Sequence, residues 1–151
     1  PNLDDHSLRV PLIVRWPTKF PAGSEVEATV SSLDLFPTIL ELAGVQPPTG
    51  HNLFGRRLCN PLAGKVPDGS NNDLYAEYSM ENYAQADLHC YRTPRYKLVI
   101  DSLNVSRNEF FDLSNDPGET QNLIASARPE IRKAIKALRL KLDTISSKQE
   151  R

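Results

Sequence analysis

Ser31-Ser32-Leu33-Asp34-Leu35-Phe36-Pro37-Thr38-Ile39-Leu40-Glu41-Leu42-Ala43-Gly44 carries the start, face and stop signals of one short helix. Ser32 or Asp34 can accept a hydrogen bond from the unbonded amides of the first turn. Pro37 is tolerated near the start, where its missing N–H would have no partner, and Gly44 suits the left-handed residue that ends a helix. Leu35, Ile39 and Leu42 recur at intervals of four and three, and Phe36, Leu40 and Ala43 widen the stripe. So little of this surface is polar that the pattern predicts a core helix lying under other structure.

Upstream, Val10-Pro11-Leu12-Ile13-Val14-Arg15-Trp16 is a nearly continuous apolar run closed by Pro17, the pattern of a strand buried on both faces. A loop around Pro21-Ala22-Gly23 joins it to the helix. A doubly buried strand followed by a helix belongs to a layered α/β sheet, and no second strand–helix unit follows in this chain. The expectation is that the partner strands lie outside it; the competing reading pairs Val10 to Trp16 with a later strand. Ahead of the run, Asp4, Asp5 and His6 bunch together. No further ligands lie near them in sequence, so the expectation is a loop with an Asp5 to Arg9 ion pair and no metal site.

Downstream, residues 45–72 are rich in Pro, Gly and Asn and read as a long connection with at most one helical turn near Pro61-Leu62-Ala63. Leu74 to Tyr78, Leu88 to Arg92, Tyr96 to Ile100 and Glu109 to Leu113 read as four strands of a small antiparallel sheet. Ile131, Ile135, Leu138, Leu142 and Ile145 recur at intervals of four, three, four and three, opposite Arg132, Lys133, Lys136 and Arg139, and predict a helix packed on that sheet. Pro117 and Gly118 at the centre of Asp116-Pro117-Gly118-Glu119 predict a type II turn. The boundaries drawn are therefore 1–45 for strand and helix, 46–73 for the connection, and 74–151 for the antiparallel subdomain with its terminal helix.

The 151 residues carry a formal net charge of −1, which argues against a nucleic-acid or membrane-surface role for the whole chain. From Arg128 onward there are eight Lys and Arg against three Asp and Glu. No aromatic residues are interleaved, so this reads as a solvated helix face docked on acidic neighbours. Cys59 and Cys90 allow one disulfide or two free thiols, and their spacing fits no metal site. The chain opens at Pro1 without Met, so it is expected to be a mature product or an excised piece, and no targeting segment can be read from it.

Four stretches, in order, resemble the C-terminal part of the sulfatases, enzymes of the alkaline phosphatase superfamily. They are Arg9 to Pro17, Leu33 to Gly44, Arg92-Thr93-Pro94-Arg95-Tyr96-Lys97, and Phe111-Asp112-Leu113 with Asp116 to Glu119 and Asn122-Leu123. The resemblance implies the truncated edge strand and helix of a large α/β sheet, then a four-stranded antiparallel sheet packed by a C-terminal helix. It implies hydrolysis of sulfate esters or sulfamates by a parent enzyme that uses calcium and a formylglycine made from a Cys/Ser-x-Pro-x-Arg motif. Cys59-Asn60-Pro61-Leu62-Ala63 opens like that motif but has Ala63 in place of Arg. No catalytic residue, metal ligand or bound cofactor is therefore expected in this chain, which should be inactive by itself. Asp4 stands where the family commonly has an aromatic residue, and Phe111 where it commonly has Tyr.

His6, His89 and Arg92 are the candidates for the rim of a substrate cleft, and Asn104-Val105-Ser106 is a possible glycosylation sequon. The expected partners are the rest of the catalytic domain and a sulfated substrate, with neither nucleic acid nor membrane, and with self-association through Val10 to Trp16 when the chain stands alone. The family implies a periplasmic, lysosomal or extracellular location. The alternatives are a phosphodiesterase- or mutase-like member of the same superfamily, or a non-catalytic binding module using the basic helix.

Overall fold

The computed structural model describes residues 2–47, 55–63, 72–82 and 85–149. In chain order the elements are α1 (Asp5–Leu8), α2 (Leu35–Ala43), α3 (Cys59–Leu62), β1 (Leu74–Met80), β2 (Ala86–Arg92), β3 (Tyr96–Asp101), β4 (Glu109–Asp112) and α4 (Pro129–Gln149). The chain forms two compact units, Pro1–Pro11 with Asp73–Arg151, and Leu12–Asn72.

The first unit is built on a four-stranded antiparallel sheet of order β1-β2-β3-β4. The four strands are those read from the sequence, with β1 ending two residues later, β2 beginning two earlier, β3 ending one later and β4 ending one earlier. Thr93 closes the β2–β3 turn by donating its N–H to Tyr96 O at 2.8 Å and accepting from Tyr96 N at Oγ1, also at 2.8 Å. Side chains alternate between faces along a strand. On one face Ala86, Leu88, Cys90 and Val99 are buried together with Leu3, and Leu8 packs against them. On the other, Leu98 and Phe110 are buried against Ile131, Leu138 and Leu142 of α4. Burying each of these three α4 side chains contributes roughly 2 kcal/mol. Both faces are thus covered, one by the terminal helix and one by residues 2–8.

In the second unit, a 3-10 turn over Ser32–Asp34 leads into α2. Ser31 Oγ accepts from Leu33 N at 3.3 Å while Asp34 Oδ2 accepts from Ser31 N at 2.9 Å, a reciprocal cap that satisfies two otherwise unbonded amides. Gly44 ends α2 in the left-handed region with φ of 69°. Buried Asp34 also accepts from Arg56 N at 2.6 Å, and Thr38 Oγ1 accepts from Leu58 N at 2.9 Å, which fastens residues 56–58 to the helix start. The approach is so close that a Cβ on Gly55 would stand 1.9 Å from Leu33 O.

The competing reading of Val10 to Trp16, pairing with a later strand, is overturned, and three further expectations need correction. Residues 9–16 lack regular secondary structure, and Ile13 is 90% and Val10 76% exposed. A strand needs neighbours to take its N–H and C=O groups, and none of the described strands supplies them. The helix at 31–44 forms as expected but is not buried, since Phe36 is 53% and Ile39 61% exposed while the buried residues of its first turn are Pro37 and Thr38. Asp5 pairs with residues of the sheet and not with Arg9. The turn at 116–119 is not type II, because the left-handed residue is Glu119 (φ 54°) and not Gly118. The helical turn expected near 61–63 is α3, and most of the remaining connection at 48–71 lies outside the described residues.

Candidate functional site

Arg92, the last residue of β2, and Lys97, the second of β3, stand directly opposite each other in the ladder. Two like charges so placed repel unless carboxylates come between them. Asp5, in the single turn of α1, takes Arg92 Nε at 2.9 and 3.0 Å and Arg92 Nη2 at 2.7 Å, so one face of the guanidinium is spent on it. Lys97 Nζ donates to Glu119 Oε2 at 2.7 Å and to Asp5 Oδ1 at 3.3 Å. Glu119 Oε1 in turn accepts from Asp5 N at 3.0 Å. Two cations and two carboxylates close a neutral ring that pins α1 to the sheet.

The ring explains the backbone of Glu119. A non-glycine residue in the left-handed region costs of order 1 kcal/mol or more, and persists where its surroundings over-determine it. Both carboxylate oxygens of Glu119 are held, and the preceding turn is fixed by Asp116, which accepts from Thr120 N at 3.1 Å and Gln121 N at 2.7 Å. Type II geometry at Gly118 is displaced because the chain must turn Glu119 back toward Lys97.

Burial opposes the charge of Asp5, but the Arg92 hydrogen bond and the charges of Lys97 and Arg92 outweigh it and hold the carboxyl below its ordinary range. Glu109, the first residue of β4, has the opposite fate: burial, with the Asp4 charge beside it, pushes its carboxyl up. Cys90 lies under the same face, and burial pushes its thiol up to about 12. Burial, followed by a hydrogen bond to Glu41 and its charge, pushes the Cys59 thiol up to about 11. Both cysteines are free, and both remain protonated thiols at neutral pH.

The residues singled out from sequence are not brought together. His6 is exposed on α1. Arg92 is committed to Asp5. His89 lies on the opposite face of β2 from Arg92, where Tyr75 Oη sits 3.2 Å from Nδ1 and Asp87 Oδ2 sits 3.1 Å from Nε2. Ser79 donates to Asp87 at 2.7 Å and Tyr75 to Glu77 at 2.8 Å, so a polar chain runs across β1 and β2. Asn104 is exposed between β3 and β4, its Oδ1 accepting from Ser106 N at 3.0 Å and Ser106 Oγ at 2.7 Å. Among the described residues no three His, Cys, Asp or Glu side chains converge on a point where a cation could sit. Calcium and formylglycine are implied by the family for a parent enzyme.

Sequence reasoning passed over Lys97 and Glu119. The signal was present: Lys97 interrupts Tyr96-Lys97-Leu98-Val99 at a position whose neighbours on the same face are inward-facing. A lysine there requires a buried carboxylate.

The chain thus presents a four-stranded antiparallel sheet with a terminal helix on one face and an ion-paired N-terminal segment on the other. A family model described as N-sulphoglucosamine sulphohydrolase, C-terminal, matches residues 2–148, and the chain belongs to that family. It is 29% identical over 155 residues to steryl-sulfatase of Mus musculus, covering 87% of this chain and 25% of that protein. It is 32% identical over 124 residues to the N-acetylglucosamine-6-O-sulfatase of Bacteroides thetaiotaomicron, covering 79% and 22% respectively. Among solved structures, BT4656 in complex with its substrate D-glucosamine-2-N,6-O-disulfate superimposes with a TM-score of 0.78 at 29% identity, over 92% of this chain and 28% of that one. The phosphonate monoester hydrolase of Agrobacterium radiobacter follows with a TM-score of 0.69 at 25% identity, over 84% and 27%. The chain thus spans about a quarter of the length of these relatives.

Proposed function

We propose that this chain is the closing part of a sulfatase that hydrolyses sulfate esters or sulfamates of sulfated sugars, and that its own task is to hold the segment around Arg9-Val10-Pro11 in place. One observation carries the reading. Two of the stretches that bear the family resemblance, the Arg92 to Lys97 hairpin through both its ends and the Asp116 to Glu119 turn through Glu119, meet in the ion ring with Asp5, which lies just ahead of a third. A ring with every charge paired has no free cation for a sulfate, so it positions and does not react. Arg92 is accordingly a positioning residue acting through Asp5, and His6, exposed on the segment the ring holds, is the candidate retained for the cleft rim. His89 faces the other side of the sheet and takes part in its own polar chain.

The exposed apolar side chains of Val10 in the first unit, and of Ile13, Phe36 and Ile39 in the second, each favour cover by the rest of the catalytic domain. No helix among the described residues is long and apolar enough to cross a membrane. The family relationship supports a periplasmic, lysosomal or extracellular parent, and in a secretory host that glycosylates, exposed Asn104 is the acceptor.

The test is sulfate release by the chain joined to its catalytic domain, with glucosamine carrying N- and 6-O-sulfates as substrate. Turnover, with His6→Ala raising KM at unchanged kcat and Arg92→Lys lowering the melting temperature, supports the reading. Release of phosphonate monoesters in preference to sulfate would replace it with the hydrolase alternative.

A further inference from the structure

One flank of α4 carries a row of cations that the fold leaves unneutralised. Arg132, Lys136 and Arg139 follow one another at spacings of four and three, and Arg128, the residue just before the helix, continues the row one turn ahead of Arg132. At 1.5 Å rise per residue the row extends roughly 16 Å, ending where Asp143 takes the next place. All four cations are exposed. Among the described residues Arg132, Lys136 and Arg139 have no ion pair. Among the described residues, the acidic neighbour of this basic segment is met by Lys141 and not by this flank. The contrast within the helix is sharp: Lys141, on another side, pairs with Asp73 at 2.7 Å and lies 4.9 Å over the Tyr91 ring.

We infer that this row is a docking surface for a sulfated polysaccharide, the polymeric form of the substrate class proposed above, on which reading it rests. A sulfate ester keeps its charge at every working pH, and guanidinium groups bind such tetrahedral oxyanions through paired N–H donors with little hydration to lose. Repeating cations along a straight helix match a polymer with repeating anions, whereas a single sulfated monomer would need one. The row holds no aromatic side chain on which a base could stack, which disfavours a single-stranded nucleic acid. Because the chain as a whole is slightly acidic, polyanion binding would have to come from this flank and not from net charge.

The experiment compares the chain with a variant carrying Arg132→Gln, Lys136→Gln and Arg139→Gln, and with a control carrying Arg15→Gln, Lys19→Gln and Arg57→Gln, which has the same net charge but keeps the row. The probe is size-selected heparin at physiological salt. At about a factor of two per exposed cation, the row variant binds roughly tenfold more weakly while the control stays within about twofold. Equal losses in both variants, or binding of a DNA oligonucleotide of equal charge as tight as that of heparin, would overturn the proposal. Should the triple variant melt at a lower temperature, Lys136→Gln read on the same probe carries the test. With the catalytic domain attached, the row variant should leave release of sulfate from a monosaccharide unchanged. If the complete protein releases no sulfate at all, the proposed function falls, while the heparin comparison still decides the docking surface.

Discussion

Lys97 Nζ lies 2.7 Å from Glu119 Oε2, and no part of the Lys97 side chain reaches solvent. An ammonium so placed has given up its hydration and is supported only by its two carboxylates. The pair is consequently far more sensitive to losing one member than to losing both.

Lys97→Ala leaves the Glu119 and Asp5 carboxylates facing each other under the sheet, and should cost about 3–5 kcal/mol. Lys97→Met with Glu119→Leu removes the charge conflict between those two and should cost less than the sum of the single changes. Urea denaturation of the four proteins of this cycle measures the coupling; strict additivity would mean that the pair makes no direct contribution.

Acid should unfold the first unit through Asp5. Its folded carboxyl ionises below the ordinary range, so its contribution is complete above the unfolded value of about 4 and is lost as pH falls through the folded value. Asp112, whose burial is outweighed by hydrogen bonds from Arg95 and Asn115, adds to the same loss. In a Glu109→Gln background, which removes an opposing titration, the urea midpoint should be level from about pH 7 to 5 and fall below about pH 4, with Asp5→Asn less stable at pH 7 and less dependent on pH.

Glu109 carries the opposite sign. Its folded carboxyl titrates above the ordinary value, so ionisation weakens the fold once pH rises past the unfolded value. Glu109→Gln should raise the melting temperature at pH 7 and leave it nearly unchanged at about pH 4. A lower melting temperature at pH 7 would show that the charge itself is being used.

Gly55→Ala should destabilise the second unit by about 1–3 kcal/mol, because the new methyl group meets backbone and not a side chain able to move aside. Hydrogen exchange at the Arg56 and Leu58 amides, which are held by Asp34 and Thr38, should accelerate first.

The two thiols should separate by exposure. Cys59 is half-buried and Cys90 fully buried, so a thiol reagent at pH 8 should modify Cys59 slowly and Cys90 only after denaturant is added. Loss of both thiols in the untreated protein would reveal an oxidised pair.

The sheet and its covering helix were legible because alternation and 3.6-residue periodicity are local properties. Tyr96 to Ile100 reads as a strand whatever it pairs with, and Ile131 to Ile145 as one helix face. The ion ring was not legible, because Asp5 meets residues 87 and 92 positions away, a distance at which single-chain patterns carry no information. The nearest cation, Arg9, was the natural guess for Asp5, and tertiary pairing overrode it. Val10 to Trp16 and α2 illustrate a related limit of local patterning: an apolar pattern states that a surface prefers cover, not which chain provides it.

Clasping α1 to the sheet also sets a timetable. Residues 2–8 are synthesised before the sheet they pack on, and the face they cover is incomplete until β3 has emerged. At ribosomal rates, Asp5 waits roughly five seconds or more for Lys97. Throughout that interval Leu3 and Leu8 remain uncovered, and closing so long a loop is paid for in chain entropy before any of the ring's contacts form. Residues 2–8 are thus made ahead of β1 to β4 yet settle only after β3 is in place.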